Sequence, residues 1–592
     1  MQVYGETTEE DEMEQVKEKA ARSSETGGVI SSIAGTFYSH PILTAAVLCV
    51  MSMPIATGAV SVMKSLLICF YILLIGAAAA IYSAGISGQN KKLRSVIIIS
   101  SSAAAAAFLF FYESFIKGSY SIVIMNGGIA LCVGIFFYLY ACNKLNTRNI
   151  ILLLFAAGFI MRLSYILMMS AGMIQHDVYT IGAGAGHSGY IEYLYENGHL
   201  PDFDVRQVDQ FYHPPLHHII AAVWMRIQTM SGTEYAAAYE NIQLLTLFYS
   251  SVCLILSYKI FRRAGLSGAA LITATAIIAL CPTFYILSGS INNDILSITF
   301  MLGAVLNTMY WYKSRNIGRI ICIALCIGLG MMTKLSVWMV APAVALVFIF
   351  VFFTSIKDWL KYLVQYSVFI IVCAPIALFW SVRNFLMWGV PFTFVQRLSE
   401  KSAQYVGDIP LLTRLFDFSP YQFADTAPQF VMYKGSYNEY NPLIGFFKTS
   451  MFDEGISVRR FSRLPGFSHI LLFSAIALGI IAFAAMIVMF VRKNPKQDSV
   501  TKAFLGMIYF VILGMYYYFC IDYPHVCTMN VRYGVPLIVI GALSAGYLVG
   551  ELINSKKKAA LTAGGVICAV TAIYAVSGFV VFNICAESLL KL

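Results

Sequence analysis

Long apolar runs separated by short polar stretches organise most of this chain. Runs of spanning length lie near residues 41–59, 62–86, 95–116, 119–141 and 149–171. Others lie near 240–261, 266–288, 292–312, 317–332, 335–354, 361–388, 467–491, 502–521, 531–553 and 559–583. A helix needs about 20 apolar residues to cross a bilayer, so the fifteen runs predict about fifteen transmembrane helices. Hydrocarbon offers no partner to an unpaired backbone group, so helices are the expected element. The predicted class is an all-α polytopic membrane protein.

Segment 214–231 fits the pattern poorly, opening with Pro214-Pro215 and carrying His217, His218 and Arg226. The basic residues decide its place. If it does not span, Lys91/Lys92/Arg94, Lys144/Arg148, Arg262/Arg263, Lys313/Arg315/Arg319, Lys357/Lys361, Arg492/Lys493/Lys496 and Lys556/Lys557/Lys558 share one side. The positive-inside rule makes that side cytoplasmic. The segment is therefore read as an interfacial helix, with the amino terminus inside and the carboxyl terminus outside. Two outer segments are then long, 172–239 and 389–466, and both are rich in aromatics and Gly. They predict ordered caps on the membrane. Residues 1–28 are acidic and polar, with too little apolar surface to fold, and do not resemble a signal peptide. Residues 29–148 share no polar motif with the rest and read as an added four-helix module before a main domain, 149–592.

Composition narrows the class further. Hydrophobic residues make up 59% of the 592 and charged ones 12%, about half the ~25% of soluble domains. Several soluble domains are excluded. The net charge of +10 suits basic cytoplasmic loops, and no basic stripe interleaved with aromatics marks a nucleic-acid surface. Most of the thirteen Cys lie in apolar runs, where a thiol is a small core residue. Only Cys520 and Cys527 flank a polar loop, so no disulfide framework is expected.

Candidate chemistry gathers in the outer segments. The first reads Gln175-His176-Asp177-Val178-Tyr179, then Gly186-His187-Ser188-Gly189-Tyr190, then Gly198-His199-Leu200-Pro201, and ends in Tyr212-His213-Pro214-Pro215-Leu216-His217-His218. Six of the nine His lie there. Further on, Ser288-Gly289-Ser290-Ile291-Asn292-Asn293-Asp294 and Thr333-Lys334 fall at outer turns, and Trp380-Ser381-Val382-Arg383-Asn384 ends a span before Gly389-Val390-Pro391. In their order and shared side these motifs resemble the GT-C glycosyltransferases, which take sugars from polyprenyl-phosphate carriers. The protein O-mannosyltransferase and aminoarabinose transferase branch is the nearest in pattern, over roughly residues 149–550. The chain departs from that branch in having Val178, not Glu, after the Asp, and His213, not Lys, before Pro-Pro.

The residues carry physical readings of their own. Asp177 stands where a span meets water. As a general base it would take the proton of an acceptor hydroxyl, a role worth about 10²–10⁴ in rate; it would otherwise cap the following helix. A lipid-phosphate leaving group needs fixed cations, and Lys334, Arg383 and Arg532 are the candidates at outer span ends, joined by His213 if protonated. Snorkelling to headgroups is the alternative for each. Asp294 is a membrane-boundary acid or a helix cap. The resemblance implies a substrate-binding set of His176, Tyr179, His187, His217, Asp294 and Asn384. His213 and His217, four apart, invite a metal reading, but there is no His-Glu-x-x-His pattern and the branch needs no metal, so no metal or other cofactor is expected. Aromatics of the second loop, Phe416, Phe418, Tyr421, Phe423, Tyr433, Tyr437, Tyr440, Phe446, Phe447 and Phe452, suit an acceptor-binding cap or plain interfacial anchors.

These readings point to a glycosyltransferase in a bacterial cell membrane. It would move one sugar, with inversion, from a polyprenyl phosphate to a hydroxyl on a protein, lipid or wall polymer at the outer face. The rivals are a transporter or flippase of lipid-linked sugars and a lipid-handling scaffold without chemistry. Few charges lie within the spans, and no interrupted helices pair in matching halves as transporters arrange them.

Overall fold

The hydrophobic runs become helices wherever the chain is described. The computed structural model describes residues 35, 37–56, 120–172, 175–426, 439–452, 465–492, 498–555 and 557–589. The acidic segment 1–28, the apolar runs 62–86 and 95–116, and Tyr433 and Tyr437 lie outside the described residues.

Helices α1 (Pro41–Ala56), α2 (Tyr120–Ala141) and α3 (Thr147–Met168) lead into the first cap, which carries α4 (Gly186–Asn197) and α5 (Leu216–Met230). The bundle continues through α6 (Gln243–Arg263), α7 (Gly268–Ala279), α8 (Pro282–Gly289), α9 (Asp294–Ser314), α10 (Ile317–Met331), α11 (Ala341–Thr354) and α12 (Trp359–Trp388). The second cap holds α13 (Pro442–Met451), and α14 (Pro465–Val491), α15 (Ser499–Asp522), α16 (Val535–Ile553) and α17 (Lys558–Leu589) complete it.

Among the described residues, 11 helical segments are long and apolar enough to cross a membrane. Two more of the predicted runs form shorter helices, α1 with 16 residues and α10 with 15. The segment in doubt, α5, is a 15-residue helix, short of the about 20 needed to span. The fold class is as the hydropathy indicates: all-helical and polytopic.

Side-chain caps explain several boundaries. Asn146 accepts from Asn149 N at 2.9 Å to start α3, and Asp498 accepts from Thr501 N at 2.8 Å to start α15, each satisfying a donor the first turn leaves free. Close packing needs small residues where helices lie along one another without a hydrophobic drive between them. A Cβ on Gly546 of α16 would stand 2.6 Å from the Ala270 carbonyl of α7, so that crossing accepts only glycine.

One span carries a fully buried charge. Arg162 of α3 is 0% exposed. Its guanidinium donates to Ser250 Oγ at 2.9 Å, to Gly158 O at 2.8 Å and to Ala279 O at 2.9 Å. Ala279 ends α7, and Pro282 opens α8 after a two-residue break. Arg162 thus satisfies carbonyl groups that the broken helix leaves open, in a medium where each orphan is costly.

The two caps interlock. Trp380 Nε1 of α12 donates to Tyr212 O at 2.9 Å, Gln396 Nε2 to Asp209 Oδ1 at 2.6 Å, and Arg206 Nη2 to Trp388 O at 3.0 Å. The second cap is pinned in turn to the segment before α16, with Val406 N on Pro524 O and Val526 N on Gln404 O, both at 2.9 Å. This interlocking positions the site.

Candidate active site

Four ionisable side chains from four separate span ends meet under the caps. Asp177 follows α3, Asp294 opens α9, Lys334 follows α10 and Arg532 precedes α16. Arg532 Nη2 lies 2.8 Å from Asp177 Oδ2, and its Nη1 lies 3.9 Å from Asp294 Oδ2. Lys334 Nζ pairs with Asp294 Oδ1. The result is an alternating chain, Asp177–Arg532–Asp294–Lys334, in which each cation is held beside a carboxylate.

Local structure explains the convergence. Asn293 Nδ2 donates to Thr333 O at 2.8 Å, which ties the turn before α9 to the turn carrying Lys334. Asn292 Nδ2 donates to Asp294 Oδ2 at 2.9 Å and to His176 O at 3.3 Å, joining that turn to the Asp177 segment. Arg532 is set by its neighbours: its amide donates to Asn530 Oδ1 at 3.0 Å, and Val531 N donates to Thr449 Oγ1 of α13 at 2.8 Å. The Tyr533 ring centroid lies 5.0 Å from both Lys334 Nζ and Arg532 Cζ, a cation–π arrangement that helps two like charges share one site.

The two carboxylates differ in access. The Asp177 side chain is 40% exposed and that of Asp294 2%. Both Asp294 oxygens are engaged, by Lys334 and by Asn292. Asp177 has one oxygen on Arg532 and, among the described residues, none on the other. Asp177 is the accessible carboxylate of the two, and Asp294 the one enclosed beside the cations.

Backbone strain aims Asp177. His176 and Asp177 have φ of 51° and 66°, two consecutive side-chain-bearing residues in the left-handed region, at a cost of about 1–2 kcal/mol each. Strain of this kind persists where surrounding structure over-determines it, often at functional sites. Here the clamp is Gly186: His187 N donates to Asp177 O at 3.2 Å, and Gly186, at φ 75°, leaves no room for a Cβ beside Tyr179 and Asp177 O.

Beside the ion-pair chain lies a stack of imidazoles. His213 and His187 stack with centroids 5.2 Å apart, and His218 lies edge to edge with His187, their planes 5° from parallel. His187 Nδ1 and His218 Nε2 share a hydrogen bond at 2.9 Å, and Tyr190 covers one face of His218. Burial, then Lys334, His218 and Arg532, holds His213 well below the usual histidine range. Burial, then His213, does the same for His187. The condition set for His213 as a cation, that it be protonated, is therefore disfavoured, and the ring is placed to offer a hydrogen bond. His217 Nε2 donates to Ile291 O at 2.9 Å, and burial pushes its pKa down to about 4. Among the described residues, no group of three or more His, Cys, Asp or Glu is placed to hold a metal.

The other anticipated residues fall elsewhere. Arg383 does not join the cluster: its guanidinium donates to Pro201 O and Asn384 Oδ1 and lies over Trp380 and Trp388, 5.2 and 4.9 Å from their centroids. It fastens the Gly198–Pro201 turn to α12. Asn384 is buried beside it. Tyr179 OH donates to Asp209 Oδ2 at 3.2 Å on the exposed side. The His176 ring is buried, and its carbonyl meets Asn292. Sequence reasoning gave no role to Asn292, Asn293, His218, Thr449, Asn530 or Tyr533. The Asn292-Asn293 pair ahead of Asp294 was a visible signal, and so was Asn530 two residues before Arg532.

Residues 212–380 match the family model described as dolichyl-phosphate-mannose-protein mannosyltransferase. The matched stretch contains His213, Asp294 and Lys334 of the site. That stretch lies inside the region, roughly residues 149–550, over which the motifs resemble the family, and the described fold is helical and polytopic as that resemblance implies. Similar solved structures include the archaeal oligosaccharyltransferase AglB from Archaeoglobus fulgidus in complex with an inhibitory peptide and a dolichol-phosphate, at 13% identity and TM-score 0.42. The apo form of the Archaeoglobus fulgidus oligosaccharyltransferase gives 12% and 0.41. Each alignment covers 74% of this chain and 56% of the other, so the chain matches little more than half the length of those proteins. ArnT from Cupriavidus metallidurans in the apo state gives 13% and 0.33, covering 68% of this chain and 78% of that one. No curated protein matches the chain by sequence.

Proposed function

We propose that this chain transfers one sugar, with inversion, from a polyprenyl phosphate to a hydroxyl acceptor at the outer face of a bacterial cell membrane. The observation that carries the reading is Arg532, which bridges the accessible Asp177 to the buried Asp294–Lys334 pair. One group thus links a proton acceptor to a place for negative charge. In the reaction the acceptor O–H proton passes to the open oxygen of Asp177. The acceptor oxygen bonds to the anomeric carbon as the bond from that carbon to the phosphate oxygen breaks. The phosphate leaves with the electron pair, and Lys334 and Arg532 meet the charge in a low-dielectric setting where fixed cations act strongly. Neutral His213 adds a hydrogen bond. Asp294 keeps the two cations together before substrate arrives, and a lipid donor explains why the site lies at the ends of spans. The acceptor is a hydroxyl of a protein, lipid or wall polymer.

The test is direct. Purified protein in lipid vesicles is given polyprenyl-phosphate-linked hexoses and pentoses with membrane extract as acceptor. Release of polyprenyl phosphate together with an acceptor heavier by one sugar supports the reading. Neither release nor transfer from any lipid-linked sugar, by protein that still binds polyprenyl phosphate, overturns it.

A further inference from the structure

A cavity of about 400 Å³ lies among the last four helices, under α13. It follows α14 from Ala475 to Phe483, α15 from Tyr509 to Tyr517 and α16 from Leu537 to Ala545. At the helical rise each stretch is about 12 Å long, less than half of the ~30 Å hydrocarbon thickness. Its roof is α13, a cap helix, so it occupies the leaflet on the side of Asp177.

The lining is mostly carbon. Two of the hydroxyls that reach it are spent on the protein: Tyr516 OH donates to Pro442 O at 2.7 Å and Ser450 Oγ to Phe447 O at 2.7 Å. Small residues on α14 and α16, among them Gly479, Ala482, Gly541 and Ala542, line it; Gly479 receives the Phe447 ring and Gly541 packs on Ala482. Ile480 and Phe483, on the α14 wall, are 65% and 45% exposed, which places the mouth of the cavity on the lipid-facing side of α14. The cavity is closed toward the ion-pair chain. There α13 packs against 529–534, with no room for a Cβ between Gly445 and Met529 or between Gly534 and Phe446, and Thr449 hydrogen-bonded to Val531.

We infer that this cavity is a binding site for one acyl chain of a bilayer phospholipid, taken laterally past α14. A mostly apolar space open to hydrocarbon offers water few polar partners, and an empty one forfeits dispersion contacts along its walls. A phosphate on Lys334 and Arg532 is separated from it by the packed seam, so the occupant is not the donor's own tail. The chain supports α13 from below, and α13 holds Val531 and, through it, Arg532. The bound lipid is a structural ligand coupled to the site.

The test uses full-length protein in phospholipid nanodiscs with a diazirine in mid-chain. Photolysis should label peptides containing 443–451, 475–483 and 509–517, and native mass spectrometry in mild detergent should show one retained phospholipid. Ala542→Phe fills the cavity; because excluding only two methylenes costs about tenfold in occupancy, labelling there should fall at least that far. Ala482→Leu on the opposite wall should do the same and guards against one variant failing to fold. Labelling confined to other peptides, labelling undiminished in folded variants, or retention of polyprenyl phosphate instead of phospholipid would each overturn the assignment. No readout depends on sugar transfer, so it stands or falls apart from the proposed reaction.

Discussion

Arg532 holds Asp177 by one carboxylate oxygen, at 2.8 Å, and leaves the other open. A carboxylate so held is fixed in direction and has an oxygen left to accept a proton. A helix cap would need the oxygen turned toward backbone amides, and the amide bonds near Asp177 run instead through its carbonyl to His187 N.

Asp177→Asn keeps the shape and removes the proton acceptor. Turnover should fall about 10²–10⁴-fold, the range of general-base catalysis, while affinity for the lipid donor stays within a few-fold. Steady-state rates beside direct binding of polyprenyl phosphate check this. An Asn variant turning over at the original rate would leave Asp177 with a structural role only.

Gly186→Ala tests whether the strained turn aims Asp177. A Cβ there would meet the Tyr179 ring at 2.0 Å and Asp177 O at 2.8 Å, so the turn must shift. A displacement near 1 Å can cost about a hundredfold in rate. Gly198→Ala is the control: it too has a positive φ, 74°, but its added Cβ would meet the Arg226 side chain, away from Asp177. Equal losses in the two variants would mean general strain, not misdirection of the carboxylate.

Stability should fall as the medium is acidified from about pH 6.5 toward 4. His187, His213, His217 and His218 are all held below the histidine range by burial, with His217 at about 4. Unfolded, they titrate near 6.5. Between those values the unfolded chain binds more protons than the folded one, so lowering the pH favours unfolding, by up to about 1.4 kcal/mol per pH unit per ring. Above pH 6.5 the contribution is flat. Thermal melts across this window show the slope, and His218→Phe, which keeps a flat ring in the stack, should reduce it. An unchanged slope in that variant would assign the acid sensitivity to other groups.

Much of the site was legible because each member stands at the end of a hydrophobic run, which hydropathy locates well. Asp177, Asp294, Lys334 and Arg532 all fell on one face by that reasoning. Arg383 fell there too, yet it lies over Trp380 and Trp388, because a run's end fixes height in the membrane and says nothing of which helices are neighbours. Whether His213 is protonated was left as a condition for a related reason. It depends on burial first, then on Lys334, His218 and Arg532 packed around the ring, which its place in the chain does not reveal. Run 317–332 overshot by one residue, because apolar composition continues past the helix that ends at Met331.

The pairing of Lys334 with Asp294 separates stability from function. Both side chains are largely buried, 11% and 2% exposed, so Lys334→Met alone strands a carboxylate and should cost about 3–5 kcal/mol. Arg532, 3.9 Å away, is shared with Asp177 and cannot fully replace the lost partner. Adding Asp294→Asn removes the stranded charge, and the double variant should recover most of the stability, since replacing a buried ion pair as a whole is often close to neutral. Donor binding should not recover with it. The phosphate would still lack one of its two cations, and Arg532 would be freer to close on Asp177 alone. Melting temperature and polyprenyl phosphate affinity, measured on the two single variants and the double, distinguish the cases. A double variant that regains both stability and affinity would make Lys334 the partner of Asp294 and nothing more, leaving the phosphate to Arg532.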